Sequence, residues 1–335
     1  MESIRLVQLS NANQERRVAL VQEPSLRFLQ NTRSVYDLAL EAIRTKQPLA
    51  ELIEARLSDE MIDYQPVYDG QGSWQLLPAF DHPEGPFGCM VSGTGLTHKN
   101  SALNRQMMHQ SAGATPTDSM QIYQWGVEGG SPTAGTIGVQ PEWFYKGNGA
   151  MLRAHGQPLE LPTYGNDGGE EPEVAGAYVV DETGVPWRIG FCAGNEFSDH
   201  VMEKKNYLYL APSKLRQCAI GPELVITDNF SEQTGTVRID RGGTPLWEST
   251  IRTGEKNMAH SLQNLEYHHF KYEAHRLPLQ AHVHFFGADA FSFGQQLVLQ
   301  DGDSMYVQWN GLGRSLQNPL KVARATEQLI AIQPL

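Results

Sequence analysis

The chain has 335 residues, of which 40% are hydrophobic and 19% charged, a composition that supports a sizeable folded core and excludes a disordered chain. Its 38 acidic and 26 basic side chains give a net charge of −12, which argues against electrostatic nucleic-acid binding. No apolar stretch is long enough to span a membrane, and the N-terminal residues carry charge where a secretory signal would be apolar. The sequence therefore predicts a soluble, cytoplasmic protein with neither nucleic acid nor membrane as a partner.

The sequence divides into two consecutive regions that differ in composition and pattern. Residues 1–85 predict a small α/β domain, with a strand at IRLVQL and a helical run from Ser34 to about Leu57. Residues 86–335 are rich in glycine and in turn signals such as DETG and DRGG, which indicates a second, β-dominated domain. In this second region we predict helices at about residues 100–108 and 258–267 and strands at residues 175–180, 186–191, 223–228, 236–241, 281–286 and 304–309.

The cysteines and histidines form no metal-binding motif. Three widely spaced cysteines, Cys89, Cys192 and Cys218, are predicted to be reduced and buried. His282 and His284 are two apart on a predicted strand and would face one side, as a metal pair might require. Because no carboxylate or further histidine is close in sequence, two histidines in a half-buried strand are the favoured interpretation. The neighbouring His268 and His269 are predicted to lie at the surface.

A pair of carboxylates carries the clearest chemical signal. Glu171 and Glu173 are separated by one residue where a loop enters a predicted strand, so extended backbone places both on the same face. Two like charges this close repel each other unless a cation neutralises them, and hard oxygen ligands suit Mg²⁺, Mn²⁺ or Ca²⁺. A solvated strand edge is the alternative interpretation. Glu196, at the end of the next predicted strand, offers a third carboxylate, and Lys214 precedes another strand.

The order of these motifs resembles that of the fumarylacetoacetate hydrolase superfamily over roughly residues 89–320. VSGTGLTH, which contains His98, is similar to the family's VGLNYxxH, PEWFYK to PxxFxK, EPEVAG to EPELA, and GNEFSDH to NDVSARD. The C-terminal LQDGDSMYVQWNGLGRSLQNPL follows the pattern LxxGDxVxVxIxGxGxLxNPV. The resemblance implies an α+β fold with a mixed β-roll catalytic domain, a homodimer, and Mg²⁺ or Mn²⁺ bound by Glu171, Glu173 and Glu196.

Three departures separate the chain from the hydrolases of that family. The third metal ligand is Glu196, where the family usually has aspartate. Ser101 stands where a glutamate commonly pairs with the histidine, and FFGADAFSFG at residues 285–294 replaces the usual Gly-Thr-Pro substrate loop. C–C bond hydrolysis needs a water activated by an oriented base. The missing glutamate at position 101 and the missing Gly-Thr-Pro loop therefore both argue against a hydrolase. They favour the sugar-acid branch of 2-keto-3-deoxypentonate dehydratases, which the chain resembles also in Glu142 and Lys214.

The resemblance thus implies a magnesium-dependent hydro-lyase that converts a 2-keto-3-deoxypentonate to 2-oxoglutarate semialdehyde in pentose catabolism. Lys214, Glu142 and His98 are the candidates for proton transfer. Lys214 would be the base at C3 or a charged anchor, and His98, which ordinarily titrates in the useful range, the acid for the C4 hydroxyl. Ser92 and Lys146 are candidate substrate contacts. Two alternatives stay open: hydrolysis of an acylpyruvate-type C–C bond, and non-catalytic binding of a keto acid.

Overall fold

A computed structural model describes residues 3–109 and 117–335 as an α+β protein with two open, mixed sheets. Its helices are α1 Val35–Thr45, α2 Leu49–Ala55, α3 Tyr64–Tyr68, α4 Lys99–His109, α5 Asp118–Gly129, α6 His200–Lys205, α7 Leu210–Lys214 and α8 Leu262–Phe270. Its strands are β1 Ile4–Asn11, β2 Arg16–Gln22, β3 Ser25–Leu29, β4 Leu57–Asp63, β5 Trp74–Leu76, β6 Cys89–Gly95, β7 Glu142–Asn148, β8 Leu152–Arg153, β9 Leu159–Leu161, β10 Pro172–Val180, β11 Pro186–Asn195, β12 Cys218–Ile220, β13 Leu224–Ile226, β14 Gln233–Arg241, β15 Thr244–Thr253, β16 Ala281–Phe285, β17 Ser304–Trp309 and β18 Leu316–Val322.

The N-terminal region forms one end of the larger sheet. Strands β1 to β4 pair in antiparallel order, and β1 continues the sheet by pairing with β13. The helical run predicted from Ser34 is two helices: Ser34 caps α1 by accepting a hydrogen bond from the Asp37 amide, and Lys46 ends it in the left-handed conformation at φ 56°. Pro48, which cannot donate a backbone hydrogen bond, directly precedes α2. A division of the chain at residue 85 stays a prediction.

The centre of the larger sheet runs in the order β13, β11, β10, β16, β6, β7. All nine residues of β10 are buried, because apolar layers cover both faces of this strand. Alternate side chains point to opposite faces, so Ala175 and Ala177 join the core under α1, whereas Val174 and Tyr178 pack toward the five-stranded sheet and α8. The five-stranded sheet has the order β15, β14, β17, β18, β9.

The structure confirms the predicted fold class and the predicted helices and strands, apart from shifts at their ends. Cys89, Cys192 and Cys218 are buried and unbridged, as predicted. Among the residues that the structure describes, no helix combines the length and the apolar character that a membrane span requires. One antiparallel pairing matters most for the site, because Pro172 at the start of β10 lies opposite Asn195 at the end of β11. This register brings the residues that flank both strand ends together.

Candidate active site

Three buried carboxylates meet where the start of β10 lies opposite the end of β11. Glu171 and Glu173 flank Pro172 at the start of β10, and Glu196 follows β11. The Glu196 amide donates a hydrogen bond to the Glu171 carbonyl at 2.9 Å, which continues the antiparallel pairing past the strand ends. One carboxylate oxygen from each of the three residues lies within 4.8 Å of the other two. The same-face pair and the third carboxylate predicted from the sequence therefore form one cluster.

Two buried lysines hold this carboxylate cluster. Lys214 Nζ lies 2.6 Å from Glu171 Oε1, 2.7 Å from Glu196 Oε2 and 3.3 Å from Glu203 Oε1. Burial alone would lower its pKa, but the three carboxylates raise it well above the ordinary value. Lys214 is therefore an ammonium ion that donates hydrogen bonds to Glu171 and Glu196 and forms an ion pair with Glu203.

Lys146 lies on the other side of Glu196. Its Nζ contacts Glu196 Oε1 at 2.6 Å and donates to the carbonyls of Phe197 at 2.6 Å and Lys214 at 3.1 Å. These three acceptors account for all three ammonium hydrogens. Lys146, predicted as a substrate contact, therefore fixes the position of Glu196 in this structure.

Glu173 differs from the other two carboxylates in having no ion pair among the described residues. Its Oε2 accepts a hydrogen bond from the Gly287 amide at 2.6 Å. Burial, together with the charges of Glu196 and Glu171, raises the pKa of Glu173 well above its ordinary value. A buried, all-oxygen donor set in which one carboxylate lacks a protein cation fits a hard divalent ion such as Mg²⁺ or Mn²⁺.

His200, which the sequence analysis did not single out, supports Glu171. Its Nε2 donates to Glu171 Oε1 at 3.0 Å, and its Nδ1 lies 3.7 Å from Asp167 Oδ2. Burial would lower the pKa of this histidine, but Asp167 and Glu171 raise it to about 10. The only sequence signal was its place at the end of the GNEFSDH motif.

Glu142 presents one constrained and one free oxygen. Its Oε2 accepts from the Tyr207 hydroxyl at 3.0 Å and from Arg105 Nη1 at 3.4 Å, whereas its buried Oε1 has no hydrogen-bond partner. Burial raises the pKa of Glu142, although Arg105 opposes this. Arg105 also contacts Glu203 at 3.2 Å, and Glu203 contacts Lys214, so Glu142 belongs to the same network of charges as the carboxylate cluster.

His98 has threonine partners on both ring nitrogens. Nδ1 lies 2.9 Å from Thr97 Oγ1 and Nε2 lies 3.0 Å from Thr253 Oγ1. The Thr97 hydroxyl gives its single hydrogen to the Phe286 carbonyl at 2.7 Å, so Nδ1 donates to Thr97. In a neutral ring Nε2 then accepts from the Thr253 hydroxyl, which also lies 3.4 Å from Met258 Sδ. Burial lowers the pKa of His98 to about 3. The expectation of a histidine that titrates near neutral pH is corrected: His98 is neutral, and its ring is locked in place.

Ser92 lies on the other face of the sheet. The adjacent Gly93 faces the Phe144 ring, which contacts Lys214, and successive side chains of a strand point to opposite faces. The Ser92 hydroxyl accordingly bonds to His284 Nδ1 at 2.8 Å. The structure therefore brings Glu142, Lys146 and Lys214 into the network of the three carboxylates, but it does not bring Ser92 there.

The histidines around Ser92 form a buried cluster on β16, on α8 and after α8, composed of His269, His275, His282 and His284. His268 and His269 are both buried, so their predicted place at the surface is wrong. Their burial follows from the packing of α8 against β16, which brings His269 into contact with His282 and His284. His282 and His284 are fully buried rather than half-buried, and within residues 3–109 and 117–335 the glutamate cluster is the only group with three potential metal ligands close together.

The whole chain resembles solved structures of one fold. It superposes on the apo form of 2-keto-3-deoxy-D-arabinonate dehydratase with a TM-score of 0.70 at 19% identity, covering 96% of this chain and 100% of that one. The same enzyme complexed with magnesium and 2,5-dioxopentanoate gives a TM-score of 0.70 at 18% identity with the same coverage. A 5-carboxymethyl-2-hydroxymuconate delta-isomerase from Mycobacterium smegmatis gives 0.56 at 15% identity, again over 96% and 100% of the two chains. No family profile and no curated protein sequence matches the chain.

The chain therefore has a fumarylacetoacetate hydrolase-type fold, as its ordered motifs predicted. Within that group, its architecture is like that of 2-keto-3-deoxy-D-arabinonate dehydratase. At this level of identity, the activity has to be argued from the chain's own residues.

Proposed function

We propose that this protein is a metal-dependent hydro-lyase that removes water from a 2-keto-3-deoxypentonate and yields 2-oxoglutarate semialdehyde. The observation that carries the proposal is the buried cluster of Glu171, Glu173 and Glu196 beside two ammonium groups and a carboxyl group with a free oxygen. The similar fold of a dehydratase that was solved with magnesium and 2,5-dioxopentanoate supports this choice of reaction.

In this proposal, Glu171, Glu173 and Glu196 hold one Mg²⁺ or Mn²⁺. The bound ion would polarise the keto group of the substrate and so make the C3 proton more acidic. Lys214 and Lys146 contact the carboxylates of Glu171 and Glu196 and fix their positions, which pre-organises the ligand set.

We assign the proton transfers to Glu142. Its free Oε1 takes the C3 proton, and the same carboxyl group then gives that proton to the C4 hydroxyl as the C4–O bond breaks and water leaves. The unsaturated 5-hydroxy-2-keto acid that results is an isomer of the semialdehyde, and it becomes the semialdehyde when C5 and its hydroxyl each lose a proton and C3 and C4 each gain one. A raised pKa suits a group that must both accept and donate a proton near neutral pH. Lys214, the first candidate from the sequence, is held as an ammonium by three carboxylates and serves here as a fixed charge.

The product identifies the reaction. We expect the protein to convert a 2-keto-3-deoxypentonate to a semialdehyde, to lose turnover after exhaustive chelation, and to regain it when Mg²⁺ is added back. Product analysis by mass spectrometry, with an acylpyruvate as the competing substrate, is the measurement. Pyruvate as the main product would identify a hydrolase, and calorimetric binding of the keto acid without turnover would identify a binding protein; either result would overturn the proposal.

Gly95 provides the space that the free oxygen of Glu142 needs. A Cβ atom at Gly95 would lie 1.9 Å from Glu142 Oε1, so Gly95→Ala should displace this oxygen and lower kcat by about 10²-fold or more, within the range for one positioned acid–base group. Gly129→Ala is the control for an added methyl group, since the nearest atom to its Cβ position is Val139 Cβ at 3.5 Å, an ordinary van der Waals contact, and its φ is not positive. Steady-state kinetics and thermal unfolding of both variants would separate a local effect from loss of the fold.

We also propose, on the family resemblance alone, that the protein is a cytoplasmic homodimer that acts in pentose catabolism. Light scattering of the purified chain would test the dimer. Growth of a deletion strain on pentoses as the only carbon source would test the place in catabolism.

A further inference from the structure

The loop that follows β16, GADAFSF at residues 287–293, touches the segment that carries two of the three proposed metal ligands. This loop occupies the stretch where the family resemblance predicted a substrate loop, although its sequence differs from the family pattern. The GADAFSF loop contacts Glu173 and Glu170 directly, and it packs against His200, which bonds to Glu171.

The first contact is at the start of the loop. The Gly287 amide donates to Glu173 Oε2 at 2.6 Å, and the carbonyl of the same peptide group, that of Phe286, accepts the Thr97 hydroxyl at 2.7 Å. Gly287 has a φ of +97°, and a Cβ atom there would lie 2.0 Å from Thr97 Oγ1. Only glycine therefore allows this peptide group to approach both partners.

The second contact is a two-pronged hydrogen bond in the middle of the loop. Glu170 Oε1 accepts from the Ser292 amide at 2.6 Å, and its Oε2 accepts from the Ser292 hydroxyl at 2.8 Å. Both residues are buried, at 0% and 1% exposure, so water cannot replace these bonds without opening the loop. Because Glu170 directly precedes Glu171 in the chain, its two bonds to Ser292 also fix the backbone at Glu171, a proposed metal ligand.

The third contact is aromatic. The His200 ring, which donates to Glu171 Oε1, stacks on Phe291 at 4.8 Å with an angle of 5° between the planes, and lies 5.0 Å from Phe293. Gly169 leaves room for this ring, because a Cβ atom there would lie 2.4 Å from His200 Nδ1. The loop thus sets the orientation of the side chain that holds Glu171.

We infer that the GADAFSF loop and the metal ligands order one another: His200 and Ser292 are positioning residues, and binding of a divalent cation tightens the loop over the site. The inference rests on the proposed function. Because coupling between two events is reciprocal, a change that loosens the loop must weaken the binding of the cation, and the cation must protect the loop.

Two variants test the coupling in the full-length chain, with Mn²⁺ as the calorimetric probe. His200→Phe keeps an aromatic ring against Phe291 but removes the hydrogen bond to Glu171, and we expect Mn²⁺ affinity to fall by about 10- to 100-fold. Ser292→Ala removes one hydrogen bond to Glu170, and we expect a fall of about 3- to 10-fold. Ser249→Ala, the same chemical change on β15, is the control and should bind Mn²⁺ like the wild type.

Hydrogen exchange measured by mass spectrometry gives a second readout that does not depend on activity. Mn²⁺ should slow amide exchange in peptides that cover residues 287–293 of the wild type, and should do so less in Ser292→Ala. Wild-type protein that binds Mn²⁺ while the loop gains no protection would overturn this inference alone, as would unchanged affinity in both variants. Wild-type protein that binds no divalent cation would overturn the proposed function and this inference with it.

Discussion

Glu142→Gln is expected to abolish exchange of the substrate's C3 proton with solvent deuterium and to lower kcat by about 10²- to 10⁴-fold. The substitution keeps the size of the side chain and an acceptor for Tyr207 and Arg105, but it removes the basic oxygen that has no partner in this structure. Nuclear magnetic resonance of the substrate in deuterated buffer measures the exchange, and a quenched assay of the semialdehyde measures turnover.

The matched variant at Lys214 separates a base from a fixed charge. Lys214→Arg retains a cation for Glu171, Glu196 and Glu203, so C3 exchange should persist at a reduced rate if the ammonium acts only through its charge. Loss of exchange in Lys214→Arg together with its survival in Glu142→Gln would contradict our assignment and make Lys214 the C3 base, as the sequence first suggested. Mn²⁺ binding by both variants should be checked, so that a damaged metal site is not mistaken for a missing base.

The carboxylate cluster could be predicted from the sequence because local rules determine it. Residues two apart in an extended strand point to the same face. When the neighbouring antiparallel strand ends opposite the start of the first strand, the residue that follows its end lies beside them. This pairing and the ordered motifs around it are enough to predict that Glu171, Glu173 and Glu196 lie close together.

Other parts of the site depend on contacts between elements that are distant in the chain. The neutral state of His98 follows from burial against Thr253, which is 155 residues away. Arg105 and His200 act through partners that no spacing rule links to them, and the face to which Ser92 points depends on the register of β6 against β7 and β16. A sequence shows which groups are present along one strand, whereas the protonation of a buried group depends on every element packed against it.

The buried histidine cluster gives the protein a measurable dependence of stability on pH. Ordered hydrogen bonds run from Trp143 Nε1 to His269 Nδ1 at 3.2 Å, from His269 Nε2 to His282 Nδ1 at 3.0 Å, and from His282 Nε2 to Gln280 Oε1 at 3.1 Å. Since Trp143 can only donate, each ring in this chain accepts on one nitrogen and donates from the other, as a neutral imidazole does. His284 bonds to Ser92 through Nδ1, and its buried Nε2 has no partner.

Burial, with smaller effects from His282 and His275, lowers the pKa of His284 to about 3, against about 6.5 for an exposed histidine. As the pH falls below about 6.5, the unfolded chain therefore takes up a proton at this residue before the folded chain does. The contribution of His284 to stability is fully present above about pH 6.5 and declines toward pH 3 by about 1.4 kcal/mol per pH unit.

His284→Asn removes this titration while leaving an amide that can bond to Ser92. The variant should be less stable than the wild type at pH 7.5, because the smaller side chain packs less well. Between pH 7.5 and pH 4.5 the stability of the variant relative to the wild type should rise by about 3 kcal/mol. Urea unfolding at intervals across this range measures the shift, and titrating groups away from the histidine cluster cancel because they are common to both proteins. Ser92→Ala, which removes the hydrogen bond but no titratable group, should differ from the wild type by a nearly constant amount. A pH-independent difference for His284→Asn would mean that His284 titrates alike in the folded and unfolded chains, contrary to its burial without a partner for Nε2.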